Sequence, residues 1–213
     1  MAALLRQPFF ILRFLTVNDI SFCRDGLVFQ RNLALLFPSF VILMIKRTGC
    51  MNALKHRIET INEIALIGIR MRFSLAANRT AELWQNFMPR RHEIGTTIGN
   101  ALYSVEVYDD LSYFAAFDPT NQFDKWAGVA VERVEMVPEG MATLLIPAGE
   151  YVVFDYKGRP SEVGPTYQFI YGQWLSNSEY KLDDRPHFAL MGERYKGEHP
   201  DSEEELWIPV VRK

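Results

Sequence analysis

From residue 64 onward the apolar positions of this chain fall into short periodic runs. Ile64–Phe73 alternates strongly and weakly apolar side chains, the two-residue period of a half-buried strand, and Gly68 within it reads as a bulge. Thr80 stands where an N-cap would, ahead of Ala81–Met88, in which Leu83, Trp84, Phe87 and Met88 share one helical stripe up to a boundary at Pro89. Leu102–Tyr108 and Lys125–Val134 read as strands. Phe114–Phe117 predicts a loop or short strand between them, and Asp118-Pro119-Thr120-Asn121 a turn. A turn at Pro138-Glu139-Gly140 precedes the apolar run Ala142–Ile146, and a second turn at Pro147-Ala148-Gly149-Glu150 leads into a strand at Tyr151–Lys157. Thr166–Leu175 returns to a helical stripe of Tyr167, Ile170, Tyr171 and Trp174. Two more strands close the chain, joined by a polar, acidic loop. One runs from His187 to Tyr195; the other carries Trp207 ahead of Ile208–Val211, with Pro209 marking an edge or a bulge.

Laid end to end, the order is strand, helix, strand, strand, and then the same again. Residues echo it: Glu106-Val107-Tyr108 and Glu193-Arg194-Tyr195 end corresponding strands 87 residues apart, and Trp126 and Trp207 open the last strand of each half 81 apart. The expectation is an α+β fold of duplicated βαββ units, about 60–137 and 141–213, with pseudo-two-fold symmetry and antiparallel sheets. One helix covers only one face of each small sheet, so the uncovered faces meet each other or border a ligand cleft between the halves.

Composition narrows the chemistry. The chain has 213 residues, 48% hydrophobic and 23% charged, which supports a core without metal or disulfide. A formal charge of −3 speaks against a protein whose main partner is a nucleic-acid backbone. The charge is uneven. Residues 1–50 hold six basic residues against two acidic, and 51–213 hold 17 against 24. Both cysteines, Cys23 and Cys50, lie in the first stretch, so thiol chemistry is excluded from the rest. The apolar run Leu33–Ile45 is interrupted by Pro38 and is shorter than the ~20 residues a spanning helix needs. Residues 1–50 are read as a non-domain extension with Met51 as the natural start; a membrane-associated anchor is the competing reading. Residues 51–213 form the domain, expected to be cytoplasmic. His56, His92, His187 and His199 have no metal-ligand spacing and read as surface or loop residues; no metal or cofactor is implied. Nucleophile-elbow, phosphate-loop and dinucleotide motifs are absent from the sequence.

Ile146-Pro147-Ala148-Gly149-Glu150-Tyr151, Tyr167–Leu175 with Trp174, Pro186–Tyr195 and Glu205-Leu206-Trp207-Ile208-Pro209-Val210 together resemble the gyrase-inhibitor-like small-molecule-binding domain. That domain also forms the effector-binding half of AraC- and MerR-type multidrug regulators. The resemblance covers roughly residues 54–213 and is similar to stand-alone members found as integron cassettes. It implies a lipophilic, cationic ligand in an aromatic cleft with a buried carboxylate. A desolvated carboxylate attracts a cation strongly, and aromatic faces add to the attraction. Many relatives carry an acid directly after the aromatic residue in the strand beginning at Pro186; here Ala189 follows Phe188. Glu193, on the face of Ala189 and Met191 by strand period, is then the first candidate for the carboxylate, and Glu106 the second. Trp126, Trp207, Tyr103, Tyr108, Tyr171, Tyr195 and Met191 are the candidate walls. The two helical tryptophans, Trp84 and Trp174, read as core, and Glu203–Glu205 as a solvated loop end. The implied partners are the small molecule and, secondarily, gyrase or a DNA-binding regulator, with no direct nucleic-acid or membrane contact, in a monomer or weak dimer. The competing function is hydrolysis of reactive electrophiles, with a glutamate as general base.

Overall fold

The computed structural model describes residues 54–213, so the expectations for residues 1–50 and the start at Met51 lie outside the described residues. The described residues form nine strands: β1 (His56–Ile61), β2 (Ile64–Ser74), β3 (Leu102–Val107), β4 (Gln122–Val131), β5 (Ala142–Ile146), β6 (Gly149–Lys157), β7 (Tyr180–Leu182), β8 (His187–Met191) and β9 (Glu203–Arg212). Helix α1 (Thr80–Phe87) continues as a 3₁₀ turn through Met88–Glu93, and α2 (Ser112–Ala115) is a single turn. A third helical rod starts as α3 (Gly164–Phe169), widens to a π turn over Ile170–Trp174 and ends as α4 (Leu175–Asn177). β1 and β7 had no expectation attached to them, and α2 takes the place of the loop or short strand expected at Phe114–Phe117.

All strand pairs are antiparallel, in the order β1-β6-β9-β8-β3-β4-β2-β5, with β7 on the end of β9. Exchanging β1 with β5, β2 with β6, β3 with β8 and β4 with β9 turns this order into its own reverse. The connections then dictate the shape of the sheet. Only Asn62-Glu63 separates β1 from β2, and only Pro147-Ala148 separates β5 from β6. Each pair is six strand positions apart in the order, about 28 Å across a flat sheet at the usual strand spacing. A two-residue link reaches about 11 Å, so the sheet must roll until its ends meet. The register shows how: Ile61 pairs with Gly149 and Ile64 with Ile146, which places Asn62 and Glu63 opposite Ala148 and Pro147 with no slip. β1–β2 and β5–β6 are the two arms of one bent ribbon that ties both ends of the sheet together.

Rolling buries the helix-free face against itself. Val105 pairs with Trp126, Phe188 with Trp207, and Val105 with Phe188, so the four make a row across the central strands. They share a core with Leu66, Ile146, Tyr151 and Val153, residues drawn from both ends of the sheet. Gly68 pairs with Gly128 in an unbroken ladder, so it is no bulge. A Cβ at Gly68 would lie 2.2 Å from the Ala127 carbonyl oxygen; the glycine is required by the close approach of two backbones.

The other face carries the helices. Leu83 and Phe87 of α1, both fully buried, pack on Ile67, Ala127, Val129 and Val131, and each such side chain contributes about 1.5–3 kcal/mol. Ile170 of the third rod packs on Val152, Phe154, Leu206, Ile208 and Val210. Thr80 is the first helical residue of α1, not its cap. The cap position is Arg79, which makes no side-chain cap bond, and the side chain of Asn78 one residue earlier accepts the Thr80 N–H at 2.9 Å. Asn78→Ala is therefore expected to cost about 1 kcal/mol, the worth of one such hydrogen bond, measurable as a shifted urea midpoint, while Thr80→Ala should change it by less than half that.

Three strands differ most in their bounds from the alternation, and the first is β4, which runs Gln122–Val131 where Lys125–Val134 was expected. β8 stops at Met191 and not Tyr195, because Gly192 opens a turn in which Tyr195 N–H donates to the Gly192 carbonyl at 3.1 Å. β9 starts early, at Glu203, since Glu203, Glu204 and Glu205 pair with Lys157, Tyr156 and Asp155 of β6. Pro209 is on neither an edge nor a bulge. β8 pairs with β9 up to Trp207 and β7 from Val210, and the missing N–H falls at the changeover.

Candidate functional site

The two helical rods sit over the outer strands, so the middle of the helix-bearing face is left open. There β3 and β8 present Ser104 and Ala189 side by side in the ladder, and two small side chains make the floor dip. The resulting cavity is about 940 Å³, within the range of small-molecule sites. Trp84 of α1 stands on one side and Tyr167 and Tyr171 on the other, while Tyr113, Phe114 and Phe117 from the α2 segment form the roof. Tyr167 and Tyr171 are one helical turn apart and nearly parallel, with ring centroids 5.9 Å apart at 8°. Phe117 and Leu75, both on the lining, are exposed, which gives the mouth an apolar rim.

The floor carries charge. Glu106 of β3 lies opposite Lys125 of β4 in the ladder; its Oε1 accepts from Lys125 Nζ at 2.6 Å and its Oε2 from the Tyr108 hydroxyl at 2.9 Å. Burial alone would raise the Glu106 pKa, but Lys125 and Tyr108 outweigh it and hold the carboxyl below its ordinary value. Burial, and next the Glu106 charge, push the Tyr108 hydroxyl well up, so it remains a donor. His187, paired with Glu106 across β3 and β8, is buried and shares a 3.0 Å hydrogen bond with the Tyr171 hydroxyl through Nδ1. Its ring stacks on Phe114 at 5.1 Å and 12°. Burial lowers its pKa to about 4 against a partial opposing pull from Glu106, so the imidazole is neutral at pH 7.

Glu198 and Glu204 also lie on the cavity lining, and Glu198 accepts from the Ser161 hydroxyl at 2.7 Å. The neighbours of Glu204 along β9 are engaged: Glu203 with Arg194 at 2.7 Å and Glu205 with Arg57 at 2.7 Å. Among the described residues Glu204 has no hydrogen-bond or ion-pair partner. Burial raises its pKa to about 7; Lys125 pulls the other way, and Glu106 and Glu198 add to the rise. The carboxyl thus titrates close to neutrality.

Of the residues singled out from sequence, Glu106, Tyr108, Tyr171, Tyr195 and Met191 line this cavity. Trp126, Trp207 and Tyr103 do not. They point to the helix-free face, where Trp207 stacks on Phe188 at 5.2 Å and Tyr103 packs at 5.7 Å on the same ring. Of the two outcomes open to the uncovered sheet faces, they meet each other, and the cavity opens between the helices instead. Glu193 is exposed in the turn after β8, past the last residue whose direction the strand period sets. His187 is a buried strand residue, not a surface or loop one. Lys125, Glu204, Trp84, Tyr113 and Tyr167 were missed. Lys125 had a signal: in Phe123, Lys125, Ala127, Val129 it is the one charge on the helix-facing side of an apolar strand. Tyr113 had none, because its place depends on how the α2 segment folds back over the sheet.

An antiparallel sheet closed by a bent ribbon, with an aromatic, ionisable cavity between its two helical rods, defines a small-molecule-binding α+β domain. The chain belongs to the family of GyrI-like small molecule binding domains, whose model matches residues 54–211. The transcriptional regulator BrlR of Pseudomonas aeruginosa is 30% identical over 183 residues, covering 85% of this chain and 63% of the regulator, so the chain spans under two thirds of that relative's length. The matched stretch is longer than residues 54–213 and therefore takes in part of the sequence before them. An integron cassette protein from the mobile metagenome of Vibrio cholerae aligns with a TM-score of 0.53 at 19% identity, over 73% of this chain and 95% of its own. The structure of SAV2435 bound to tetraphenylphosphonium aligns at 0.52 and 14% identity, over 74% of this chain and 94% of its own. At these identities the likeness to the two structures is one of fold. Among the described residues no helix is long and apolar enough to cross a membrane.

Proposed function

We propose that the cavity binds a lipophilic organic cation and that Glu204, not Glu193 or Glu106, is the carboxylate that receives it. The observation that carries this is the contrast of Glu204 with the other two carboxylates of the lining, Glu198, which accepts from the Ser161 hydroxyl at 2.7 Å, and Glu106. Glu106 is satisfied at both oxygens by Lys125 and Tyr108, whereas Glu204 has no partner among the described residues. A half-buried carboxylate without a counter-charge is destabilised, and a cation that enters with its own apolar body relieves that cost. Trp84, Tyr167 and Tyr171 offer ring faces to the same guest, each adding about 0.5–2 kcal/mol when the cation is desolvated. Tetraphenylphosphonium, the ligand of the SAV2435 structure, is a suitable probe. The match to BrlR supports reading the binding event as a signal to a transcription apparatus in preference to sequestration.

The test is thermal unfolding with increasing tetraphenylphosphonium. A ligand present at 100 times its Kd stabilises by about 2.7 kcal/mol, a rise in Tm of about 5–10 °C for a domain of this size. No shift at millimolar tetraphenylphosphonium would remove the proposal.

A further inference from the structure

The cavity holds more unsatisfied chemistry than a simple cation would use. Lys125 Nζ carries three N–H donors, is nearly buried at 11% side-chain exposure, and gives one of them to Glu106 at 2.6 Å. Its other two have no acceptor among the described residues. The Tyr113 hydroxyl is buried without a hydrogen-bond partner. Lys125 and Tyr113 both line the cavity, and each feels the Glu106 charge from its own side: Lys125 across the β3–β4 ladder, Tyr113 from the roof. A buried donor left unpaired carries a desolvation cost, so a guest that supplies an acceptor gains where one without it leaves that cost in place. Glu106 needs nothing further, because both its oxygens are occupied.

We propose that the guest is amphoteric: its cationic part is received by Glu204, and an anionic or strongly accepting oxygen on the same molecule is received by Lys125 Nζ and the Tyr113 hydroxyl. This rests on the cation-site reading above and adds to it the second functional group. The Lys125–Glu106 pair then acts as the specificity device of the pocket. It cancels one carboxylate and leaves a donor pointing at the ligand. Lipophilic amines and delocalised cations that carry a carboxylate or a conjugated carbonyl form the class that satisfies both ends.

The experiment uses two fluorescent cations with the same aromatic body, rhodamine B, which bears a free carboxylate, and tetraethylrosamine, which lacks it. Fluorescence anisotropy at pH 8 with the full chain gives both dissociation constants, with tetraphenylphosphonium as a third probe. Wild type is expected to bind rhodamine B at least tenfold more tightly than tetraethylrosamine. Glu204→Gln should weaken both dyes. Tyr113→Phe should reduce the preference about threefold, and the double replacement Lys125→Met with Glu106→Gln, which removes the pair without leaving a lone buried charge, should bring it to near one. If tetraethylrosamine and tetraphenylphosphonium bind but rhodamine B gains less than twofold, the second group is overturned and the cation site stands. A preference that survives both Tyr113→Phe and the double replacement also overturns it. Should none of the three bind, both proposals fall together.

Discussion

Lys125→Met is expected to destabilise the folded protein by about 3–5 kcal/mol, read as a fall in the urea midpoint at pH 8. Lys125 and Glu106 are 11% and 17% exposed at the side chain and 2.6 Å apart, so removing the ammonium strands a carboxylate in a low-dielectric site with only the Tyr108 hydroxyl for support. The pair itself contributes little relative to an apolar replacement. The double replacement with Glu106→Gln should therefore recover most of the loss, and the coupling between the two sites should be large and favourable. A single Lys125→Met variant as stable as wild type would mean that Glu106 is hydrated and the floor is open to water.

Tetraphenylphosphonium affinity should depend on pH through Glu204 across the neutral range. The free carboxyl titrates at about 7, and a cation beside it favours the charged form, so its pKa falls on binding. The sign follows: binding releases a proton below pH 7, affinity is flat above about pH 8, and it falls by up to tenfold per unit as pH drops through 7. Neither Glu106 nor His187 shares this window. Glu106 is held below its ordinary value, and His187 titrates at about 4. Glu204→Gln should lower affinity about 10- to 100-fold at pH 8, the loss of one Coulombic attraction in a partly desolvated site, and should abolish the slope between pH 6 and 8. Calorimetric titrations at pH 6, 7 and 8 decide it; a slope retained in Glu204→Gln would assign the titration elsewhere.

Protein stability without ligand carries the opposite sign at Glu204. Its folded pKa is raised above the unfolded value, so its contribution is favourable below about 4.5 and is lost as pH rises through 7. His187, lowered to about 4 from 6.5, contributes in full above 6.5 and loses it as pH falls toward 4. The two oppose each other between pH 4.5 and 6.5, and a stability profile of Glu204→Gln should expose the His187 loss on acidification.

Much of this was legible in the sequence, for a stated physical reason in each case. Strand period gave β2, β3, β4 and β6, and the helical stripe gave Leu83 and Phe87 as core. Trp126 pairs with Val105 and Trp207 with Phe188, and Val105 pairs with Phe188. The acid missing after Phe188 is present after its ladder partner, as Glu106 follows Val105. What sequence could not convey was which face of the sheet is buried. Period sorts side chains into two sets without naming the set that meets the helices, and the tryptophans were assigned to the wrong one. The three consecutive glutamates misled for a related reason. Their density suggested solvent, yet the ladder sends Glu204 into the cavity and Glu205 to Arg57 on the other face.

The bent ribbon bears on how the chain can be made. β1 finds its partner, β6, about a hundred residues later, with Arg57 opposite Val153, and β2 waits for β5. A nascent chain emerging from the ribosome through residue 140 holds β2, β3, β4 and α1, but the seat beside β2 is vacant and β1 has nowhere to dock. Each half completes its sheet with a strand from the other, so neither is an autonomous folding unit. High contact order of this kind slows folding and leaves edges exposed meanwhile. Separately expressed fragments cut near Gly140 should each be unfolded and should regain structure only on mixing.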